Sequence, residues 1–295
     1  MTQNRVPDSR SDDLCRAINA SGTPGCVGLD PVLDRLPDAV RREAASETDA
    51  IERFCGGVLE SIVGVVGVVK PQAACFERFG SAGYGVLERT VARARELGFV
   101  VILDAKRGDI GSSAEHYAAG AVSMGADWIT ISPYMGPSTI EPFIGAGLGV
   151  FALCRTSNPD SDRLQSLRSG DRSVAEHTAG MLAGMAGSRT GSQGLSDLGA
   201  VVGATKSAED GAALRAAMPD QFLLVPGVGA QGGTPDEVRP LTRPGAVSIG
   251  LLGVVVNASR SVLYPSPAPG RSWQGDVRAA AESYARSLGT LSGHA

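Results

Sequence analysis

Asp104, Lys106 and Asp109 stand within six positions of one another, just after the apolar run Val100-Val-Ile-Leu103. The run reads as a buried strand. Residues two apart on a strand share a face, so Asp104 and Lys106 point the same way. Burying an acid with an amine is costly unless each has a partner or a task. One reading is a strand-end salt bridge, which contributes little. The other is an ordered charge array that stabilises negative charge developing on a substrate carbon, with a lysine placed to hand over a proton. A Schiff-base role for a lysine is chemically open. Flanking acids tend to keep a lysine protonated, however, and that disfavours amine attack.

A second group of residues suits an anion. Pro226-Gly-Val-Gly229-Ala-Gln231-Gly-Gly233 follows the short apolar run Phe222–Val225. Residues 227–232 match G-x-G-x-x-G, but no acid lies about 20 residues further on to hold a ribose, which speaks against a dinucleotide. Glycines also let backbone N–H groups converge on a phosphate, and Thr234-Pro-Asp-Glu237 reads as a helix start beyond them. Arg260 would add a permanently charged planar fork suited to phosphate. A Gly-rich turn with an unrelated surface arginine is the plainer alternative.

These residues need elements to hold them. Strands are expected at Cys26–Asp30, Val65–Val69, Val100–Leu103, Trp128–Ser132, Gly149–Cys154, Leu198–Gly203 and Phe222–Val225. The eighth falls at Ala246–Ile249 or Gly253–Asn257; the second is preferred because it delivers Ser259-Arg260 at its carboxyl end. Between them, helices are expected at about Thr48–Val63, Ala82–Leu97, Ser112–Met124 with Ser112 as N-cap, Ser138–Ile144, Val174–Met185 and Ala208–Met218, with Ser272–Leu288 closing the chain. Residues 1–14 read as a loose polar arm or short helical lead-in, Arg155–Arg172 as a long polar loop, Ser188–Gly194 as a linker, and 265–272 as a Pro-rich connector. Alternation of strand and helix points to parallel α/β, and eight units in 295 residues fit one (β/α)8 TIM barrel spanning the chain. In that fold the chemistry sits at the carboxyl ends of the strands. Asp30, Lys70, Asp104, Lys106, Asp109, Ser157, Gln231 and Arg260 all fall there.

Composition narrows the classes further. A net charge of −4 and 5% aromatic residues give no footing for nucleic acid. The odd count of five cysteines, with no C-x-x-C spacing, suggests thiols in a reducing compartment. Three histidines make a His-based zinc site improbable. No apolar run approaches the roughly 20 residues of a membrane span, and the first 25 residues hold no signal-like core, so a cytoplasmic protein is expected.

Taken together, Lys70-Pro-Gln-Ala-Ala-Cys-Phe-Glu77, Asp104-Ala-Lys106-Arg-Gly-Asp109-Ile110, the Pro226–Gly233 run and Ser259-Arg260 resemble the orotidine 5′-monophosphate decarboxylase family, in its longer bacterial branch. Gly28-Leu-Asp30-Pro, Ser132-Pro-Tyr-Met-Gly136 and Thr156-Ser-Asn-Pro159 support the resemblance, which covers about residues 14 to 289. It implies decarboxylation of orotidine 5′-monophosphate to uridine 5′-monophosphate with no metal and no organic cofactor. It implies that Asp104 sits beside the substrate carboxylate and that Lys106 stabilises and then protonates C6. Lys70 and Asp30 would hold ribose hydroxyls. Ser157, or alternatively Thr156, would reach the pyrimidine edge. Pro226, Gly229, Gln231 and Arg260 would lie against the phosphate end. Asp109 and Ile110, with Ser113 nearby, would enter the site of a partner subunit, making a homodimer. His116 and Tyr117 are expected to pack the helix that follows, and Arg107 to be a rim charge.

Two other functions compete. A magnesium-dependent sugar-acid phosphate decarboxylase, such as 3-keto-L-gulonate 6-phosphate decarboxylase, would share D-x-K-x-x-D. It is expected to carry an acid where this chain has Lys70, and a cation there repels Mg²⁺. A non-catalytic nucleotide-binding barrel would need no paired Asp104 and Lys106.

Overall fold

The computed structural model describes residues 9–204, 206–228 and 233–294. The chain enters through α1 (Arg10–Ser21) and β1 (Gly25–Leu29), then turns through α2 (Asp38–Glu43) and α3 (Glu47–Ile62) to β2 (Val68–Pro71). Helices α4 (Ala73–Glu77) and α5 (Gly80–Glu96) lead to β3 (Val100–Arg107), α6 (Gly111–Met124) to β4 (Trp128–Ile131), and α7 (Glu141–Gly145) to β5 (Gly149–Arg155). A short helix α8 (Asp162–Gln165), a hairpin of β6 (Arg168–Ser169) and β7 (Arg172–Ser173), and α9 (Val174–Met185) precede β8 (Ser196–Val202). The rest is α10 (Ala208–Ala217), β9 (Gln221–Pro226), α11 (Pro235–Val238), β10 (Val254–Ala258), α12 (Arg260–Leu263) and α13 (Trp273–Leu288).

Eight strands close into a parallel barrel in the order β1, β10, β9, β8, β5, β4, β3, β2, the TIM barrel that the alternation implied. Apolar residues recur at helical spacing in the longer helices, and in α3 and α9 a side-chain cap also closes the first turn. In α3, Ile51, Phe54, Cys55, Val58, Leu59 and Ile62 are all buried, and Ser46 Oγ accepts from the Asp49 N–H at 3.1 Å. Ser173 and Glu176 make a reciprocal capping box on α9.

The barrel interior has its own core. Trp128 stacks on Phe151 at 4.5 Å and meets Phe222 edge-on, among Cys26, Val68, Ile102 and Val255. Helix α1 plugs the amino end of the barrel with Leu14, Cys15 and Ile18. It is tied there by Arg10 to Asp127, Ser11 to Leu195 O and Cys15 to Gly250 O. With that end of the barrel closed by α1, the carboxyl rim is the open end among the described residues.

Several local expectations are corrected. Of the two readings of residues 1–14, a loose polar arm or a short helical lead-in, the helical one holds for residues 10–14, which open α1 with Leu14 fully buried; residues 1–8 lie outside the described residues. Strand β2 begins at Val68 rather than Val65, because the chain first turns through Gly64 at φ +75°. Lys70 is therefore inside the strand. Strand β3 runs on through the charged residues to Arg107. The cap position of α6 is Ile110, not Ser112, and carries no side-chain cap. The Arg155–Arg172 segment is folded rather than a plain loop: it forms a 3-10 turn, α8 and the β6–β7 hairpin. Among the described residues, no helix is long and apolar enough to cross a membrane.

Candidate active site

Asp104 lies on the floor of a cavity of about 450 Å³ at the carboxyl rim. Its carboxylate takes four donors. Lys70 Nζ donates to Oδ2 at 2.6 Å and Gln72 Nε2 to the same oxygen at 3.1 Å. Lys106 Nζ donates to Oδ1 at 2.5 Å and Thr130 Oγ1 at 2.8 Å. Burial alone would raise the Asp104 pKa, but Lys70 and Lys106 outweigh it and hold the carboxyl well below its ordinary range. Burial likewise opposes the charge of Lys70. Asp104 and then Asp30 overcome that and keep its pKa above the usual lysine value.

The strand ends explain the convergence. Gln72 bridges to Asp104 across the β2–β3 seam, one step beyond Pro71. On the other side, β3 pairs with β4 at Leu103–Ile129 and again at Arg107–Ile131. Residues 104–106 thus bulge opposite the single residue Thr130. Lys106 sits in this bulge at φ +44°. Only a few per cent of non-glycine residues take such values, at a cost of about 1–3 kcal/mol, and they cluster at functional sites. Its side chain is half-exposed and lines the cavity.

Asp30, Asn257, Ser259 and Arg260 line the opposite wall, with Pro226, Gly227 and Val228. Asp30 Oδ1 and Asn257 Oδ1 are buried, and neither has a hydrogen-bond partner among the described residues. Gly28 makes room for this wall: a Cβ there would lie 2.1 Å from Ser259 Oγ. The Gly-rich turn is pinched at its neck, where the Gly233 N–H donates to Gly227 O at 3.0 Å and Val228 bridges to Gly233. Gly227 adopts φ +104° to enter it. Gly229 and Gln231, both expected at the phosphate end, lie outside the described residues.

Thr156, Ser157 and Asn158 line the third side. Gln165 of α8 reaches back, its Oε1 accepting from the Thr156 N–H at 2.8 Å. Asp109, Ile110 and Ser113 do not line the cavity. Asp109 accepts from the Ile110 N–H at 2.9 Å, Ile110 is 51% exposed, and Ser113 faces solvent. His116 and Tyr117 are exposed on α6 rather than packed beneath it, which corrects their expected role; Tyr117 instead lies under the Arg107 guanidinium. Arg107 itself pairs with Glu77 at the rim.

Residues 26–271 match the model of the Orotidine 5'-phosphate decarboxylase / HUMPS family. The chain belongs to that family. The orotidine 5′-phosphate decarboxylase of Rhodopirellula baltica is 38% identical over 291 residues, covering 90% of this chain and 94% of the relative. That of Streptomyces coelicolor is 41% identical over 263 residues, covering 86% and 89%. The solved structure of Leishmania donovani OMP decarboxylase superposes with a TM-score of 0.77 at 31% identity, covering 97% of this chain and all of the other.

Within this family frame, the polar cavity residues Gln72, Thr130, Asn158, Gln165 and Asn257 were given no role from sequence. Thr130 carried a faint signal, since a polar residue inside Trp-Ile-Thr-Ile must find a partner once buried. Gln72 shares a strand face with Lys70. Gln165 carried none, because it lies in a segment without apolar periodicity.

Proposed function

We propose that this chain is a carboxy-lyase that converts orotidine 5′-monophosphate to uridine 5′-monophosphate in pyrimidine biosynthesis. The observation that carries the reading is Asp104 bracketed by Lys70 and Lys106 at the base of the cavity. In the reaction, the bond between C6 and the carboxylate carbon breaks, its electron pair stays on C6, and carbon dioxide leaves. The Lys106 ammonium faces the charge as it moves to carbon and then transfers a proton to C6; water restores that proton to the neutral amine. Two like charges about 4 Å apart repel by about 4 kcal/mol at an effective dielectric of 20, so Asp104 would disfavour a bound carboxylate. With four donors already on Asp104, much of that field is offset. We therefore assign the larger share to Lys106, whose attraction grows as the transition state is reached.

The remaining roles follow from chemistry. Asp30 Oδ1 and Asn257 Oδ1 are acceptors suited to ribose hydroxyls, with Lys70 beside them. Ser157 or Thr156 suits the pyrimidine edge. Arg260, Gln231 and the backbone around Pro226 and Gly229 suit the phosphate, whose binding energy, remote from C6, can be used in the transition state. No metal or organic cofactor enters this scheme; Lys70 stands where a metal-dependent relative would need an acid.

Asp109, Ile110 and Ser113 would complete the site of a second subunit. Support comes from apolar groups exposed beside them after β3 and β4, namely Ile110, Tyr117, Met135 and Tyr134, the last 84% exposed. Sedimentation equilibrium should give twice the 30.2 kDa chain mass. A cytoplasmic location fits the five free thiols, four of them buried, and cell fractionation tests it.

The direct experiment follows the loss of orotidine 5′-monophosphate by ultraviolet absorbance, with and without a chelator, for the wild type and Lys106→Ala. Turnover that ignores the chelator and collapses in the variant is expected. Turnover abolished by the chelator would point to the metal-dependent relative, and tight binding of uridine 5′-monophosphate without turnover to a binding protein.

A further inference from the structure

We propose that Thr130 is a positioning residue for the decarboxylation, setting the place of Lys106 and Asp104 together through one buried hydroxyl; this rests on the reaction assigned above. Thr130 is 1% exposed and stands alone opposite the three-residue bulge of β3. Ladder pairing fails there, because one residue of β4 cannot serve residues 104, 105 and 106. The side chain takes over from the ladder. Thr130 Oγ1 accepts from the Lys106 backbone N–H at 3.0 Å and donates its proton to Asp104 Oδ1 at 2.8 Å. A hydroxyl has one proton and lone pairs to accept with, so it serves both groups at once.

The backbone bond fixes where the Lys106 side chain leaves the strand, at a φ that an L-residue holds only when its surroundings impose it. The carboxylate bond fixes the oxygen that Lys106 Nζ also uses. Thr130 therefore ties the main chain of the proton donor to the acid that orients its ammonium. Valine matches the shape of threonine and can make neither bond. Serine can make both.

The test compares kcat and KM for orotidine 5′-monophosphate in Thr130→Val and Thr130→Ser, below the melting temperature of each variant as followed by circular dichroism. Displacing a reacting group by a fraction of an ångström to one ångström costs up to about 100-fold in rate. Thr130→Val should lose about 10- to 100-fold in kcat with KM changed less than about threefold, since the phosphate end is untouched. Thr130→Ser should return kcat to within about threefold of wild type. If the valine protein does not fold, Thr130→Ala removes the hydroxyl without crowding and carries the same comparison. An unimpaired kcat in the valine or alanine protein overturns the inference, as does an equal loss in the serine protein. A KM rise at constant kcat overturns it too, and would make Thr130 a substrate contact. Wild-type turnover in the same assay keeps the two levels apart: its absence overturns the reaction, whereas an active wild type with an unimpaired valine protein overturns only Thr130.

Discussion

Two amines, an amide and a hydroxyl converge on the Asp104 carboxylate, and the amines fix its charge. Its pKa lies below the usual range, so the stability it contributes is full above about pH 4 and is lost only as pH falls further. The Lys70 pKa lies above the usual range, so its contribution is full below about pH 10 and is lost as pH rises beyond. Neither group changes charge between about pH 5 and 9, so neither should put a limb into kcat at saturating substrate within that window. A bell with a limb inside it would show that some other group limits the reaction. Asp104→Asn would leave buried Lys70 without its counter-charge. We expect it to abolish turnover and to lower unfolding free energy by about 3 kcal/mol in denaturant titrations; an unchanged midpoint would contradict that burden. Lys70, Asp104 and Lys106 could be read from the sequence because charge at the end of an apolar run is conspicuous. Thr130 carried only the faint signal of a polar residue in an apolar strand, because threonine there is ordinary until its neighbours are known.

The elements that hold these residues were readable to different degrees. Apolar runs marked all eight barrel strands, and glycine ended α6 where expected, with Gly125 at φ +92°. The start of β2 is harder to place, because Val65-Val-Gly67-Val-Val69 reads as one apolar run unless Gly67 is taken as the break that precedes Val68. The Arg155–Arg172 segment was illegible for another reason: its elements are two to four residues long, too short to show a period. What organises that segment is long-range charge, with buried Arg155 bonded to Asp162 and Asp210, and Lys206 to Asp162. Strand spacing inside the barrel yields a prediction. A Cβ on Gly149 would lie 2.3 Å from the Trp128 ring, itself held against Phe151. Gly149→Ala should cost about 1–3 kcal/mol, read as a lower denaturant midpoint with the same slope. An unchanged midpoint would mean that the inner aromatic stack can shift at no cost.

Across the whole molecule, two ends of one barrel do opposite things. At the carboxyl rim, where Tyr134 and Ile110 are exposed, the shared site proposed above makes a sharp prediction. Lys106→Ala and Asp109→Ala should each be inactive alone. Once subunits exchange, half the dimers are hybrids, each with one intact site, so the mixture should regain about a quarter of wild-type activity. A mixture no more active than its parents would sink the shared site. At the amino end, α1 is bonded to Leu195 and Gly250, contacts that span up to 235 residues of sequence. That closure bears on how the protein is made. Helix α1 leaves the ribosome before the barrel strands, yet its seat includes residues synthesised up to 235 positions later. At about 5–20 residues per second, Leu14 and Ile18 wait roughly 12 to 50 seconds for the surface that buries them. For that time the nascent chain carries an amphipathic segment with its oily face open, a natural handle for chaperones during synthesis.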